Sequence, residues 1–166
     1  MNREPEELGA LIPDGTAYLL RFERRYNKPI ERVWAALTVP ERIADWLAVA
    51  DVDLRISGAI GLRFGDHAPE PEGRIVELVP PRLIAWTWPH ASHPDSVVRF
   101  ELFPSEEGCR LVLTQSGLEG PHHSDVVAGW HTHLEGLPDA AEGMRVPWRA
   151  EREREIAKLY AGLSRG

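Results

Sequence analysis

His133 is the side chain of this sequence best placed to move a proton. It falls one turn beyond Trp130 in the stretch SDVVAGWHTHLEGL (Ser124 to Leu137), at the edge of an apolar helical arc. A half-buried imidazole there can orient the polar end of a ligand or act as acid or base. The simpler reading is a boundary residue with its hydrogen bonds satisfied. His131 lies about 160° away around a helix, so the pair cannot grip one metal ion. His122, His123, His90 and His93 fall in loops, and neither a metal site nor a cofactor is expected. Ser124, Ser116 and Cys109 are the nucleophile candidates, but no elbow motif or spaced base accompanies them. Cys109 reads instead as a small hydrophobe on the inward face of a strand. Gly58 to Gly61 sits in a hairpin rather than between strand and helix, so it is no phosphate loop. No catalytic set is therefore assigned. Asp45 and His67 are the groups that could join His133 if the protein does proton transfer.

The second group of candidates is aromatic. Trp46, Phe64, Trp86, Trp88, Phe100 and Trp130 all fall on positions that face an interior. Such stripes are usually core. Six tryptophans in 166 residues nonetheless favour a cavity walled by large rings, suited to a flat or aliphatic ligand. The expected binding set is these six together with His133.

The elements that must position them follow from periodicity. Thr16 to Tyr26 alternates with period two and predicts a strand, with Arg24 interrupting its apolar face. Pro29 opens a helix carrying Ile30, Val33, Trp34 and Leu37, and Thr38 to Glu41 matches a capping box that starts a second short helix through Trp46. Six strand-like segments follow: Val49 to Ile56, Ile60 to Phe64, Gly73 to Val79, Arg82 to Trp88, Ser96 to Pro104 and Cys109 to Ser116. Short strands joined by tight turns predict an antiparallel meander with one dry face. The next helix, capped by Ser124, has Val126, Trp130, Leu134 and Leu137 in its arc and leaves Asp125, Thr132 and Glu135 outside it. Gly136 and Pro138 predict its end. Trp148 to Leu163 predicts a last helix with an Ile156, Leu159, Tyr160 and Leu163 stripe. That stripe should dock on the domain or on a second copy of the chain, which makes a homodimer one expected arrangement. The charged run Arg149 to Glu155 reads as its solvated face.

Bulk properties fit one domain over 1–166, α+β in class, with residues 1–15 as a loose lead-in and 147–164 as an additional helix. The net charge of −7 argues against nucleic acid or an anionic membrane surface as partner. One cysteine excludes an internal disulfide. No signal peptide and no membrane span is visible, so a cytoplasmic location is expected.

The order strand, two short helices, six strands and long helix is that of a helix-grip fold, seven antiparallel strands curved around the helix. The segment RRYNKPIERVWAALTVPERIADW (Arg24 to Trp46) resembles the opening of the activator-of-Hsp90-ATPase-like branch of the START/Bet v 1-like (SRPBCC) superfamily. So do GRIVELVPPRL (Gly73 to Leu83), Trp86-Thr87-Trp88 and Gly129-Trp130. The resemblance implies a cavity between sheet and long helix that binds lipids, sterols or aromatic polyketides, with cyclase or aromatase chemistry in some members. The chaperone activator that names the branch also has a separate amino-terminal domain, for which 166 residues leave no room, so a chaperone is not the expected partner. The leading expectation is a protein that binds a hydrophobic small molecule. A cofactor-independent cyclase using His133 is second, and a chaperone-docking module third.

Overall fold

The computed structural model describes residues 8–89, 95–118 and 123–163. Residues 1–7 of the lead-in, His90, His93 and His122, and the side chains of His123, Ser124 and Leu163 lie outside this description. Twelve elements run in order: β1 (Ala10–Asp14), β2 (Ala17–Tyr26), α1 (Ile30–Thr38), α2 (Pro40–Trp46), β3 (Val49–Val52), β4 (Ala59–Arg63), β5 (Gly73–Val79), β6 (Leu83–Thr87), β7 (Val97–Ser105), β8 (Gly108–Leu118), α3 (His123–Ala141) and α4 (Ala150–Leu163).

Period two does what it predicts. Leu20, Phe22 and Tyr26 of β2, Ile60 and Leu62 of β4, Ile84 and Trp86 of β6, Val98, Phe100 and Leu102 of β7, and Leu111 and Leu113 of β8 are all buried on one face. Arg24 shares that face, is buried too, and lays its guanidinium 5.1 Å from the Phe22 ring centre while donating to the Glu23 carbonyl at 3.0 Å.

The described strands number eight rather than seven, in one antiparallel sheet ordered β1-β2-β8-β7-β6-β5-β4-β3. The eighth is β1, which folds back on β2 through Gly15 at φ 65°, a conformation open to glycine without strain. Residues 10–14 are thus part of the sheet and not a loose lead-in. They gave no alternation because an edge strand with four of its five residues exposed buries no stripe. β3 is also shorter than expected. The chain turns after Val52 through Ser57 at φ 66°, leaving Leu54 and Ile56 exposed.

The helices depart from expectation at their ends. The Thr38 hydroxyl donates back to the Trp34 carbonyl at 2.8 Å, so Val39 is the N-cap of α2 and the capping box does not form. α3 runs through Gly136 and Pro138 and stops near Gly143, at φ 82°. Proline cannot donate to the carbonyl four residues back, and the Tyr26 hydroxyl, 3.2 Å from the Leu134 oxygen, donates instead. The buried side of α3 is wider than one arc and includes His131 and Thr132. The cause is α4, which covers the side expected to be wet. Ile156 and Tyr160 are its buried contacts, whereas Leu159 is 53% exposed and lies off the docked stripe. Arg149 and Arg152 are not merely solvated: they reach Glu135 of α3 at 3.3 and 2.7 Å, and the paired carboxylate raises the Arg152 pKa.

Candidate functional site

The space between α3 and the sheet is filled at its centre. Trp46 is buried there against Phe100 and Trp130, each pair 6.5 Å between ring centres, and Trp86 stacks on Phe100 at 5.5 Å. The indole N–H groups of Trp46 and Trp130 are satisfied. Trp46 donates to the Ala36 carbonyl at 2.7 Å, and Trp130 to Gln115 at 2.7 Å, which in turn donates to Ser96 at 2.8 Å. Buried aromatic polar groups with partners make a rigid floor.

An open space lies where that floor ends. The chain leaving α2, the segment just after β4, the first turns of α3 and the start of α4 converge there on a groove in two compartments. The larger one, about 330 Å³, is lined by Leu47, Phe64, Gly65, His67, His133, Trp148 and Glu153. The smaller one, about 140 Å³, shares Leu47, Phe64 and His133 and is completed by Trp88, Val126, Gly129 and Trp130. Phe64 and Trp88 stack nearly parallel, 6° apart at 5.9 Å, and Trp88 meets the edge of Trp130 at 5.7 Å. Of the seven residues expected to bind ligand, Phe64, Trp88, Trp130 and His133 are brought to the groove. Trp46, Trp86 and Phe100 lie behind it in the solid core. Leu47, Gly129, Trp148 and Glu153 were not singled out from the sequence as ligand contacts. A tryptophan at the entrance of an otherwise highly charged helix was the available signal for Trp148.

His133 is the polar centre of this groove. Its Nδ1 lies 3.0 Å from the Trp46 carbonyl oxygen, which can only accept, so Nδ1 carries the proton and Nε2 is the acceptor in the neutral ring. Trp148 at 4.5 Å and Phe64 at 5.9 Å shield it. Burial pushes its pKa down to about 4, against the smaller upward pull of the Trp46 carbonyl, and the ring is neutral at pH 7. Glu153 is shifted the other way: burial, then the Asp125 charge, raise its carboxyl, and Arg154 opposes them. Asp45 is held by Arg42 at 2.8 Å, and His67 lines only the larger compartment. His131 faces away, its Nδ1 2.8 Å from the Tyr160 hydroxyl, which accepts from the Gly9 amide at 2.7 Å. Among the described residues no three His, Cys, Asp or Glu are grouped to hold a metal ion, and no helix is long and apolar enough to cross a membrane.

The family described as activator of Hsp90 ATPase homolog 1-like protein matches residues 27–142. Among solved structures, CalU16 from Micromonospora echinospora is 27% identical, with a TM-score of 0.74 and 96% of each chain covered. The protein encoded by BPP1335 of Bordetella parapertussis is 27% identical at a TM-score of 0.69, over 94% of this chain and 90% of that one. CV1439 from Chromobacterium violaceum is 30% identical at 0.62, over 75% and 96%. A comparison with curated proteins returns no match.

Proposed function

Because the chain belongs to the activator-of-Hsp90-ATPase-homolog-1-like family, whose fold generally holds hydrophobic ligands, we propose that it binds a hydrophobic small molecule in the groove between α3, α4 and the sheet end. The observation that carries the reading is the pair of compartments walled by Phe64, Trp88, Trp148 and the neutral His133. Aromatic walls with a few placed polar groups are what a ligand site needs to hold and orient a small molecule. The ring floor behind it is rigid, so the ligand meets a preformed surface and little ordering opposes binding.

The test plugs the groove without touching the core. A Cβ built at Gly129 meets only the Glu153 carboxylate, at 3.9 Å, so a side chain there enters open space. Gly129→Leu should fill the smaller compartment and keep the melting temperature or raise it, since glycine is a poor helix former. The neutral fluorophore N-phenyl-1-naphthylamine should bind the native protein with energy transfer from tryptophan and fail to bind Gly129→Leu. Equal binding by both proteins, or none by the native one, rejects the groove.

A cofactor-independent cyclase-type reaction in the same groove is the second reading. It is supported by His133 Nε2, an acceptor, and by the raised carboxyl of Glu153 on the facing helix. Under that reading His133→Gln loses turnover while still binding.

A further inference from the structure

Resting on the reading of the groove as a small-molecule site, we infer that its ligand carries a positive charge. The ligand class is an amine or quaternary ammonium on an apolar body, with the cation between the Glu153 carboxylate and the rings of Trp148 and Phe64 and the apolar part toward Trp88.

The charges around the groove are one-sided. Its polar lining consists of His67, His133 and Glu153, with no lysine or arginine among the described residues. Of the nearby arginines, Arg149 and Arg152 both close on Glu135, and Arg63 is spent on the carbonyl of Gly65 at 3.4 Å. Among the described residues no ion pair engages the Glu153 carboxylate, although it is half-buried. It stands over Gly129, where a Cβ would lie 3.9 Å from its carboxylate. Burial and then the Asp125 charge raise the Glu153 carboxyl, and exposed Arg154 opposes them.

The neutral components suit a cation as well. Phe64, Trp88, Trp130 and Trp148 line the groove, and aromatic rings attract ammonium groups in a partly desolvated site. His133 stays uncharged at neutral pH and does not repel a cation. An anionic ligand would meet Glu153 and those ring faces with no counter-charge on the lining. The protein's net charge of −7 also favours the approach of cations.

Isothermal titration calorimetry at pH 7.5 and low salt with 1-naphthylmethylamine, 1-naphthylmethanol and 1-naphthoate separates charge from shape. The amine should bind about tenfold tighter than the alcohol, and naphthoate weakest. Glu153→Gln should bring the amine to the affinity of the alcohol and leave the alcohol unchanged. Added salt should weaken the amine alone. If amine and alcohol bind equally, or naphthoate binds best, the groove stands as a ligand site and charge selection is overturned. Retention of the amine preference in Glu153→Gln overturns the role of that carboxylate. If none of the three binds at millimolar concentration, the inference falls together with the groove on which it rests.

Discussion

The Trp148 ring lies 4.5 Å from the His133 imidazole, inclined at 33°. One residue lies just before α4 and the other sits in the middle of α3, so the docking of α4 sets how wet the imidazole is. Trp148 is itself 49% exposed and acts as a cover, not as core. Trp148→Ala should therefore cost only on the order of 1–3 kcal/mol of stability but should resolvate His133. The His133 midpoint, read by NMR titration, should climb from about 4 toward the ordinary 6.5. A midpoint that stays put would mean that Phe64 and Trp130 alone desolvate the ring.

The same depressed pKa gives stability a pH dependence of known sign. Unfolded His133 binds a proton below its ordinary 6.5, while the folded ring resists protonation down to about 4. Across that window the unfolded state holds more protons, so stability falls as pH falls. Glu153, whose carboxyl is raised, works in the opposite direction above its ordinary 4.5. The lowered carboxyls of Glu23 and Glu142 lose their contributions only from about that value downward. The difference between the native protein and His133→Gln isolates the imidazole: the variant should lose less melting temperature between pH 7 and 5. Parallel melting curves would show that the ring is solvated in the folded state.

These features were legible to different degrees, for physical reasons. A strand half-buried over a core writes its burial into every second residue, so β2 and β4 to β8 could be read from alternation. β1 could not, because the sheet buries almost none of its side chains. The floor rings Trp46, Trp86, Phe100 and Trp130 were legible as inward-facing. Which of them border open space was not, because periodicity assigns a face and leaves depth along the sheet unspecified. The breadth of α3's buried side and the placement of Glu153 depend on α4 lying across it. That is a tertiary fact with no local period to announce it.

The covering helix yields a contrast between two neighbouring positions. Ile156 is fully buried in the α3–α4 seam, and Leu159, which the helical stripe alone would group with it, is 53% exposed. Ile156→Ala should lower unfolding free energy by about 2–5 kcal/mol, whereas Leu159→Ala should change it by less than about 0.5 kcal/mol. Urea denaturation of the two variants decides. Equal losses would mean that α4 docks through a different face, or that Leu159 is covered by a second copy of the chain.

Pro138 sits inside α3 because another element supplies the bond it lacks. Residue 138 would ordinarily donate its amide to the Leu134 carbonyl; proline has no amide hydrogen, and the Tyr26 hydroxyl of β2 takes the position at 3.2 Å. The pairing ties the end of the second strand to the long helix across the core. Tyr26→Phe should leave the buried Leu134 carbonyl without a donor at a cost of about 1–3 kcal/mol. Pro138→Ala returns the amide to the helix, so the carbonyl then has a donor with or without the hydroxyl. In that background Tyr26→Phe should cost much less than it does alone, and the double-mutant cycle should show a positive rescue of at least about 1 kcal/mol. Strictly additive losses would mean that the hydroxyl stabilises the protein through some other contact, and that the helix passes through Pro138 on packing alone.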